Sequence, residues 1–427
     1  MNIKPAKKIN GVLSIPGDKS ISHRGVIFGS IAEGVTEIEG FLMGEDCLST
    51  IQCFRQMGIP IEIQDDKIYI QGKGLQGLSA PKEPLDVGNS GTTIRLLTGL
   101  LAAQSFSTTI TGDGSIQKRP MKRIVEPLRR MGADISGKED GNYAPLHIQG
   151  KELKGIHYDL PVASAQVKSA ILLGSLYAEG QTTIVEPARS RDHTELMMNY
   201  FGGKIKTEGL TITSEPIQQL IGKKVSIPGD ISSAAFFLVA GAILPQSELR
   251  LTHVGINPTR NGVIQVLQRM GANIEILNPR HVSGEPVADL VIGSSSLQGT
   301  IIEGDIIPTL IDELPILAVA ACFAEGITVI RDAQELKVKE SNRIRTMTEE
   351  LTKLGASIQE TEDGMIIQGG VPLGGGTVES YGDHRVAMSL AIAGLASKEG
   401  VEILGSECVD ISFPNFFEIL EELCTSH

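Results

Sequence analysis

Apolar and polar positions along the chain fall into a recurring order. In one series a predicted helix closes on an apolar residue, Gly and usually a small residue, and a strand follows. Examples are Arg55-Gln56-Met57-Gly58, Arg130-Met131-Gly132-Ala133, Arg269-Met270-Gly271-Ala272 and Lys353-Leu354-Gly355-Ala356. The Gly suits a left-handed C-cap, where a side chain would be penalised. In a second series an apolar, Ala- and Gly-rich helix ends in Glu-Gly and a β-branched strand follows. It reads Ala32-Glu33-Gly34-Val35-Thr36, Ala178-Glu179-Gly180-Gln181-Thr182 and Ala324-Glu325-Gly326-Ile327-Thr328, with weaker forms near Ala103-Gln104, Pro245-Gln246 and Lys398-Glu399-Gly400. Both series recur at about 70 residues, which predicts roughly six copies of a strand–helix–strand–helix–strand unit. Chance similarity of helix caps would account for one series but not for two interleaved series with one period. Ordinary solenoid units are shorter, so three copies per domain, closed on themselves, fit better.

Two further stretches echo each other: Leu13-Ser14-Ile15-Pro16-Gly17-Asp18 and Val225-Ser226-Ile227-Pro228-Gly229-Asp230. Only the first continues into a basic, hydroxyl-rich run, Lys19-Ser20-Ile21-Ser22-His23-Arg24. A duplicated scaffold is expected to have kept ligand-binding groups on one copy. The two Ile-Pro-Gly segments are read as the crossings between domains, one domain spanning 16–227 and the other 1–15 plus 228–427. Ligand sites favour such clefts.

Composition narrows the function classes. The 427 residues suit two domains of roughly 200 residues each. Apolar content of 41% indicates a folded chain. The longest strongly apolar stretch, Ala234 to Leu244, is much shorter than the ~20 residues of a membrane span. Lys4, Lys7 and Lys8 have no apolar region behind them, so no signal peptide is expected and the cytoplasm is the expected compartment. The five cysteines form no Cys-x-x-Cys pair and read as buried reduced thiols, with no metal site expected. A net charge of −13 argues against nucleic acid or an anionic membrane as partner. An anionic ligand would therefore be held by local basic clusters against the global field.

Such clusters sit at predicted helix starts. Gly17-Asp18-Lys19-Ser20, with Ser22 and Arg24, offers free amides and cations to a phosphate or carboxylate; an N-cap with a solvated basic face is the bland account. A P-loop is excluded, because Asp18 separates Gly from Lys. Asp86 to Arg95 is a glycine turn in which Gly91 would admit a ligand to the backbone while Asn89 and Ser90 can cap. Gln117-Lys118-Arg119-Pro120 suits a mobile loop closing on an anion, or a merely exposed basic loop. In Ala163-Ser164-Ala165-Gln166-Val167-Lys168, Ser164 and Gln166 can donate to oxygens, though a capping serine would look the same. Arg189 to Glu195 reads equally as a charged turn.

Asp312-Glu313-Leu314-Pro315 places a carboxylate pair before an apolar helix, to favour the macrodipole or to supply a base. In Leu336 to Arg345, Lys339 and Arg343 are four apart and are predicted to share a helix face with Glu340 close by; a surface charge ladder is the alternative. Tyr381-Gly382-Asp383-His384-Arg385 opens another apolar helix. Asp312, Glu340 and His384 supply acid–base capacity that a passive anion binder would not need.

The runs PGDKSISHR, GNSGTTIR, KRPM, SAQVK, RDHTE, NPTR, IDELP, VKESNR and YGDHR, in this order over nearly the whole chain, closely resemble the 5-enolpyruvylshikimate-3-phosphate synthase family. They look most like its second sequence class, marked by GDKS, SAQVK, RDHTE and NPTR. The resemblance implies an α/β (α+β) fold: two inside-out domains, each of three βαβαββ repeats, with the active site in the interdomain cleft. It implies transfer of enolpyruvyl from phosphoenolpyruvate to the 5-hydroxyl of shikimate 3-phosphate, without a cofactor, by a chain expected to be monomeric. By motif position, Lys19, Ser20, Arg24, Ser164, Ala165, Gln166, Asp312 and Lys339 would hold shikimate 3-phosphate, with Arg191 reaching its phosphate. Lys19, Asn89, Gly91, Arg119, Gln166, Arg343 and Arg385 would face phosphoenolpyruvate. Asp312 would act as base, and Glu340, with Lys19 or His384, would protonate the methylene carbon.

There are departures from the first class. Ile411-Ser412-Phe413-Pro414 lacks the lysine that class carries before its Thr-Phe-Pro run, Glu335 replaces asparagine, and Leu96 replaces proline. These changes suit the second class, often tolerant of glyphosate, yet Gly91 is retained where alanine would narrow the pocket. The related UDP-N-acetylglucosamine enolpyruvyl transferase is disfavoured, since Gly112 to Pro120 holds no cysteine. A non-catalytic anion binder on the same scaffold is the alternative outside enzymes.

Overall fold

The computed structural model describes residues 1–425. The chain divides into two compact units. The middle unit holds Gly17–Ile227 together with His281–Glu285; the split unit holds Met1–Pro16, Pro228–Arg280 and the residues from Pro286 on. Each has its own apolar core.

Among the described residues, each unit contains three small sheets. Leu85–Asp86 pairs in parallel with Ser107–Thr111, which pairs antiparallel with Tyr143–Gln149, and that strand takes Asp134–Gly137 on its other edge. The same order recurs for His157–Asp159, Thr182–Val185, Thr211–Ser214 and Ile205–Glu208. In the split unit it recurs for Ile301–Ile302, Ile327–Ile330, Met365–Gln368 and Ser357–Glu360. A helix follows each of the first two strands, because parallel neighbours need a crossover. Gly58, Gly132, Gly271 and Gly355 end the second helix of their repeats at φ between +86° and +103°, the region where glycine escapes the Cβ penalty.

The two echoing segments exchange sheets. Asn10–Ser14 pairs in parallel with Glu248–Gly255, Leu13 opposite Leu251, in the split unit. Lys224–Ser226 pairs in parallel with Glu33–Glu39, Val225 opposite Ile38, in the middle unit. The last sheet is completed by the N-terminus: Asn2–Ile3 lies antiparallel to Gly400–Leu404, which pairs with Gly375–Glu379.

One helix per repeat is buried almost all round: Lys19–Ile31, Gly91–Leu101 and Ala165–Ser175 in the middle unit, and Ile231–Ile243, Leu314–Phe323 and His384–Leu395 in the split unit. Ala, Gly and Ser on these helices allow close approach; a Cβ on Gly99 would stand 2.1 Å from the backbone oxygen of Ala170. The second helices, such as Lys122–Arg130, keep one polar face. No described helix is long and apolar enough to cross a membrane.

Candidate active site

The chemistry-bearing residues cluster at the N-termini of the buried helices, where amides lack intrahelical partners. In the middle unit Asp18 caps Lys19–Ile31 by accepting from the Ile21 amide at 2.8 Å. Lys19, at the first turn, forms an ion pair with Asp46. Ser20 is half-buried beside it, its carbonyl accepting from Arg24 Nη1 at 2.8 Å. Arg24 is buried; its Nε donates to Thr194 Oγ1 at 2.7 Å and its Nη2 to Ser169 Oγ at 2.8 Å. Burial pushes this guanidinium down to about 10. Arg191 stands half-buried in the loop entering His193–Tyr200.

Ser90 caps Gly91–Leu101 by accepting from the Thr93 amide at 3.1 Å. Asn89 does not cap; it donates to Asp113 Oδ2 at 2.7 Å and accepts from Arg119 Nη2 at 3.2 Å. Arg95 Nη1 donates to Gln166 Oε1 at 2.7 Å, and Gln166 Nε2 donates to Thr92 Oγ1 at 3.2 Å. A Cβ on Gly91 would lie 2.9 Å from Arg95 Nη1 and 3.0 Å from Arg119 Nη1, so two guanidinium groups already flank this glycine. Ser164 caps Ala165–Ser175, and Ala165 and Gln166 follow in its first turn. Arg119 directly follows a 3₁₀ turn, Ile116–Lys118, whose entry Asp113 holds by accepting from the Ser115 and Ile116 amides.

In the split unit Arg343 is the centre. It is 1% exposed. Its Nε donates to Asp383 Oδ2 at 2.8 Å, its Nη2 to Glu340 Oε2 at 2.6 Å, and its Nη1 to Asp312 Oδ1 at 3.3 Å. Burial opposes the charge, but Asp383, Glu340 and Asp312 outweigh it and hold the guanidinium above its ordinary range. Asp383 is held below the usual carboxylate range: burial works against this, and the Arg343 charge prevails. Lys339 Nζ lies 3.5 Å from Asp312 Oδ1 and 3.0 Å from Glu335 Oε1. Arg385 Nη1 donates to the Asp312 carbonyl at 3.3 Å. His384 is buried at the first position of its helix.

In each unit guanidinium groups and helix amides can bind anions, and in the split unit the Asp312 carboxylate stands among the cations Lys339, Arg343 and Arg260. The family model for EPSP synthase (3-phosphoshikimate 1-carboxyvinyltransferase) matches residues 3–420. The chain belongs to the EPSP synthase family. It is 57% identical over 422 residues to the 3-phosphoshikimate 1-carboxyvinyltransferase of Bacillus cytotoxicus, covering 99% of this chain and 100% of the relative. It is 56% identical over 423 residues to that of Thermoanaerobacter pseudethanolicus, with the same coverage. Among solved structures, the EPSP synthase of Acinetobacter baumannii superposes with a TM-score of 0.91 at 48% identity, covering 99% of this chain and 97% of that one.

One expectation for the EPSP synthase motifs needs correction. Lys339 and Arg343 do not share a helix: Asn342 caps Arg343–Lys353 by accepting from the Arg345 amide at 3.2 Å, and Lys339 precedes it in extended backbone. Both still reach Asp312, from different elements. Residues that sequence reasoning left without a role, but which pair with the candidate residues Lys19, Gln166, Asn89, Asp312 and Arg343, are respectively Asp46, Arg95, Asp113, Arg260 and Asp383. Their partners lie far along the chain, except that Asp113 carries a visible signal, an Asp between two glycines.

Proposed function

We propose that Asp312 is the base of the carboxyvinyl transfer and that the helix-terminal cations described above hold the two anionic substrates. As a member of its family, the chain transfers the enolpyruvyl group of phosphoenolpyruvate to the 5-hydroxyl of shikimate 3-phosphate and releases phosphate. The middle unit would contribute Lys19, Ser20, Arg24, Ser164, Ala165, Gln166 and Arg191 to shikimate 3-phosphate, with Lys19, Asn89, Gly91, Arg119 and Gln166 facing phosphoenolpyruvate. The split unit would contribute Asp312 and Lys339 to the former and Arg343 and Arg385 to the latter.

In this reading Asp312 accepts the 5-hydroxyl proton as that oxygen bonds to C2 of phosphoenolpyruvate. Glu340, with Lys19 or His384, delivers a proton to the methylene carbon, giving a tetrahedral intermediate. The intermediate collapses with loss of phosphate as one methyl proton returns to Glu340, the group that delivered it. Lys19, Arg119, Arg343 and Arg385 stabilise the departing charge. The observation that supports it most is the Asp312 carboxylate, whose Oδ1 lies within 3.5 Å of both Lys339 and Arg343.

We further propose a monomer acting in the cytoplasm without nucleic acid, in keeping with the charge of −13. Phosphate release that requires both substrates together tests the reaction. Asp312→Asn should lower kcat by about 10²–10⁴ while calorimetry finds shikimate 3-phosphate still bound. Unchanged turnover would remove Asp312 from this role.

A further inference from the structure

The Asn257-Pro258-Thr259-Arg260 segment has no part in the scheme above, yet its arginine is 2% exposed. The segment is a tight turn: the Thr259 amide and hydroxyl both donate to Asn257 Oδ1, at 2.9 and 2.8 Å, and the Arg260 amide donates to the Asn257 carbonyl at 2.8 Å. A guanidinium buried on so constrained a backbone has little freedom of direction. Its Nη2 donates to Ser232 Oγ at 2.5 Å and lies 3.3 Å from Asp230 Oδ1. The same Nη2 is 3.9 Å from Glu313 Oε1, and Nη1 is 3.9 Å from Asp312 Oδ2.

Glu313 closes the frame. Its side chain is 0% exposed, and Oε1 accepts from Ser232 Oγ and lies 3.8 Å from Arg385 Nη1. Arg385 in turn donates to the Asp312 carbonyl. The two oxygens of Asp312 therefore face different surroundings. Oδ1 meets Lys339 and Arg343, whereas Oδ2 meets Arg260.

We propose that Arg260 is a positioning residue for the transfer: braced by Ser232 and Glu313, it fixes the Asp312 carboxylate through Oδ2 and the Arg385 guanidinium through Glu313. This rests on the reading of Asp312 as base and Arg385 as a phosphoenolpyruvate ligand. A carboxylate turned between two cationic faces keeps one oxygen aimed, and small misplacements of a reacting group cost large factors in rate. Charged groups facing Asp312 include Lys339, Arg343, Arg260 and Arg385, with Glu340 and Asp383 reached through Arg343, and Asp230 and Glu313 through Arg260. Loss of Arg260 removes one cation from this balance, so the Asp312 proton should be held more tightly.

The test compares Arg260→Gln, Arg260→Lys, the double variant Arg260→Gln/Glu313→Gln and Asp312→Asn, each checked for folding by circular dichroism and thermal unfolding. Arg260→Gln should lower kcat by about ten- to a hundredfold, raise KM for phosphoenolpyruvate more than KM for shikimate 3-phosphate, and move the acidic limb of the kcat–pH profile upward. Arg260→Lys should restore the limb but only part of kcat, since an ammonium cannot reproduce the two-pronged geometry. The double variant, which leaves no unpaired Glu313 charge, should fold even where Arg260→Gln does not and should show the same kinetic defect. Variants that lose only thermal stability, with kcat and pH profile intact, would overturn the proposal. Should Asp312→Asn retain full turnover, the assignment of the base fails first; loss of turnover there with normal Arg260 variants rejects the positioning role alone.

Discussion

His23 sits between Ser22 and Arg24 in the basic run near the start, yet it is fully buried and its role is not that of a cation. Its Nδ1 lies 2.7 Å from Thr50 Oγ1, which is 2.7 Å from Thr93 Oγ1, which donates to Ser90 Oγ at 2.7 Å. Burial drives the imidazole from 6.5 down to about 3, with Asp46 opposing and Lys19 and Arg24 assisting. The folded value lies below the unfolded one, so the unfolded chain takes up the proton first. The contribution of this residue is complete above pH 6.5. It is lost as pH falls toward 3, by up to ~1.4 kcal/mol per pH unit. His23→Gln should flatten the fall in urea-unfolding free energy between neutral and acid pH; an unaltered slope would contradict the neutral assignment. Local spacing flags Lys19, Ser20 and Arg24 together, but it cannot show that Arg24 leans on Ser169 and Thr194, partners brought near only by folding. The expected helix face shared by Lys339 and Arg343 fails for a reason present in the sequence: Asn342 is a strong N-cap, and such a cap starts a helix one residue later.

The second helices end where the apolar pattern predicts at Gly58, Gly132, Gly271 and Gly355, whose backbone glycine adopts most cheaply. The crossings are legible at the two Ile-Pro-Gly segments, but the strand beside which each echoing segment lies is not. Leu-Ser-Ile-Pro-Gly-Asp and Val-Ser-Ile-Pro-Gly-Asp are near-identical in apolar pattern, so nothing local decides the neighbouring strand or the register of each. Close packing of buried helices is legible only as a richness in Ala and Gly. At Gly99 the space ends at backbone, not at a flexible side-chain tip. Gly99→Ala should therefore part the helices Gly91–Leu101 and Ala165–Ser175 and cost ~1–3 kcal/mol or more. A urea midpoint equal to that of the parent protein would show that the helices have slack.

For the molecule as a whole, sequence order and structural unit disagree at the N-terminus. Ile3 pairs with Val401, the Met1 amine donates to the Ile403 carbonyl at 2.9 Å, and the Ala6 amide donates to the Leu395 carbonyl at 2.9 Å. Deleting residues 1–6 should weaken the split unit and spare the middle one, although the middle unit follows directly in sequence. Its unfolding temperature should fall by roughly 2–4 °C per kcal/mol lost. Hydrogen exchange should quicken in Gly400–Leu404 and Gly375–Glu379 while Glu33–Glu39 keeps its protection. Faster exchange in the middle unit instead would count against this division.

Translation meets this connectivity unevenly. Asn10–Ser14 leaves the ribosome while Glu248–Gly255, beside which it will lie, is still untranslated. The sheet that joins Lys224–Ser226 to Glu33–Glu39 has all its strands once Ile227 has been made. Asn10–Ser14 therefore waits without its partner strand until Glu248–Gly255 has been made, and the unit that is begun first is the one finished last.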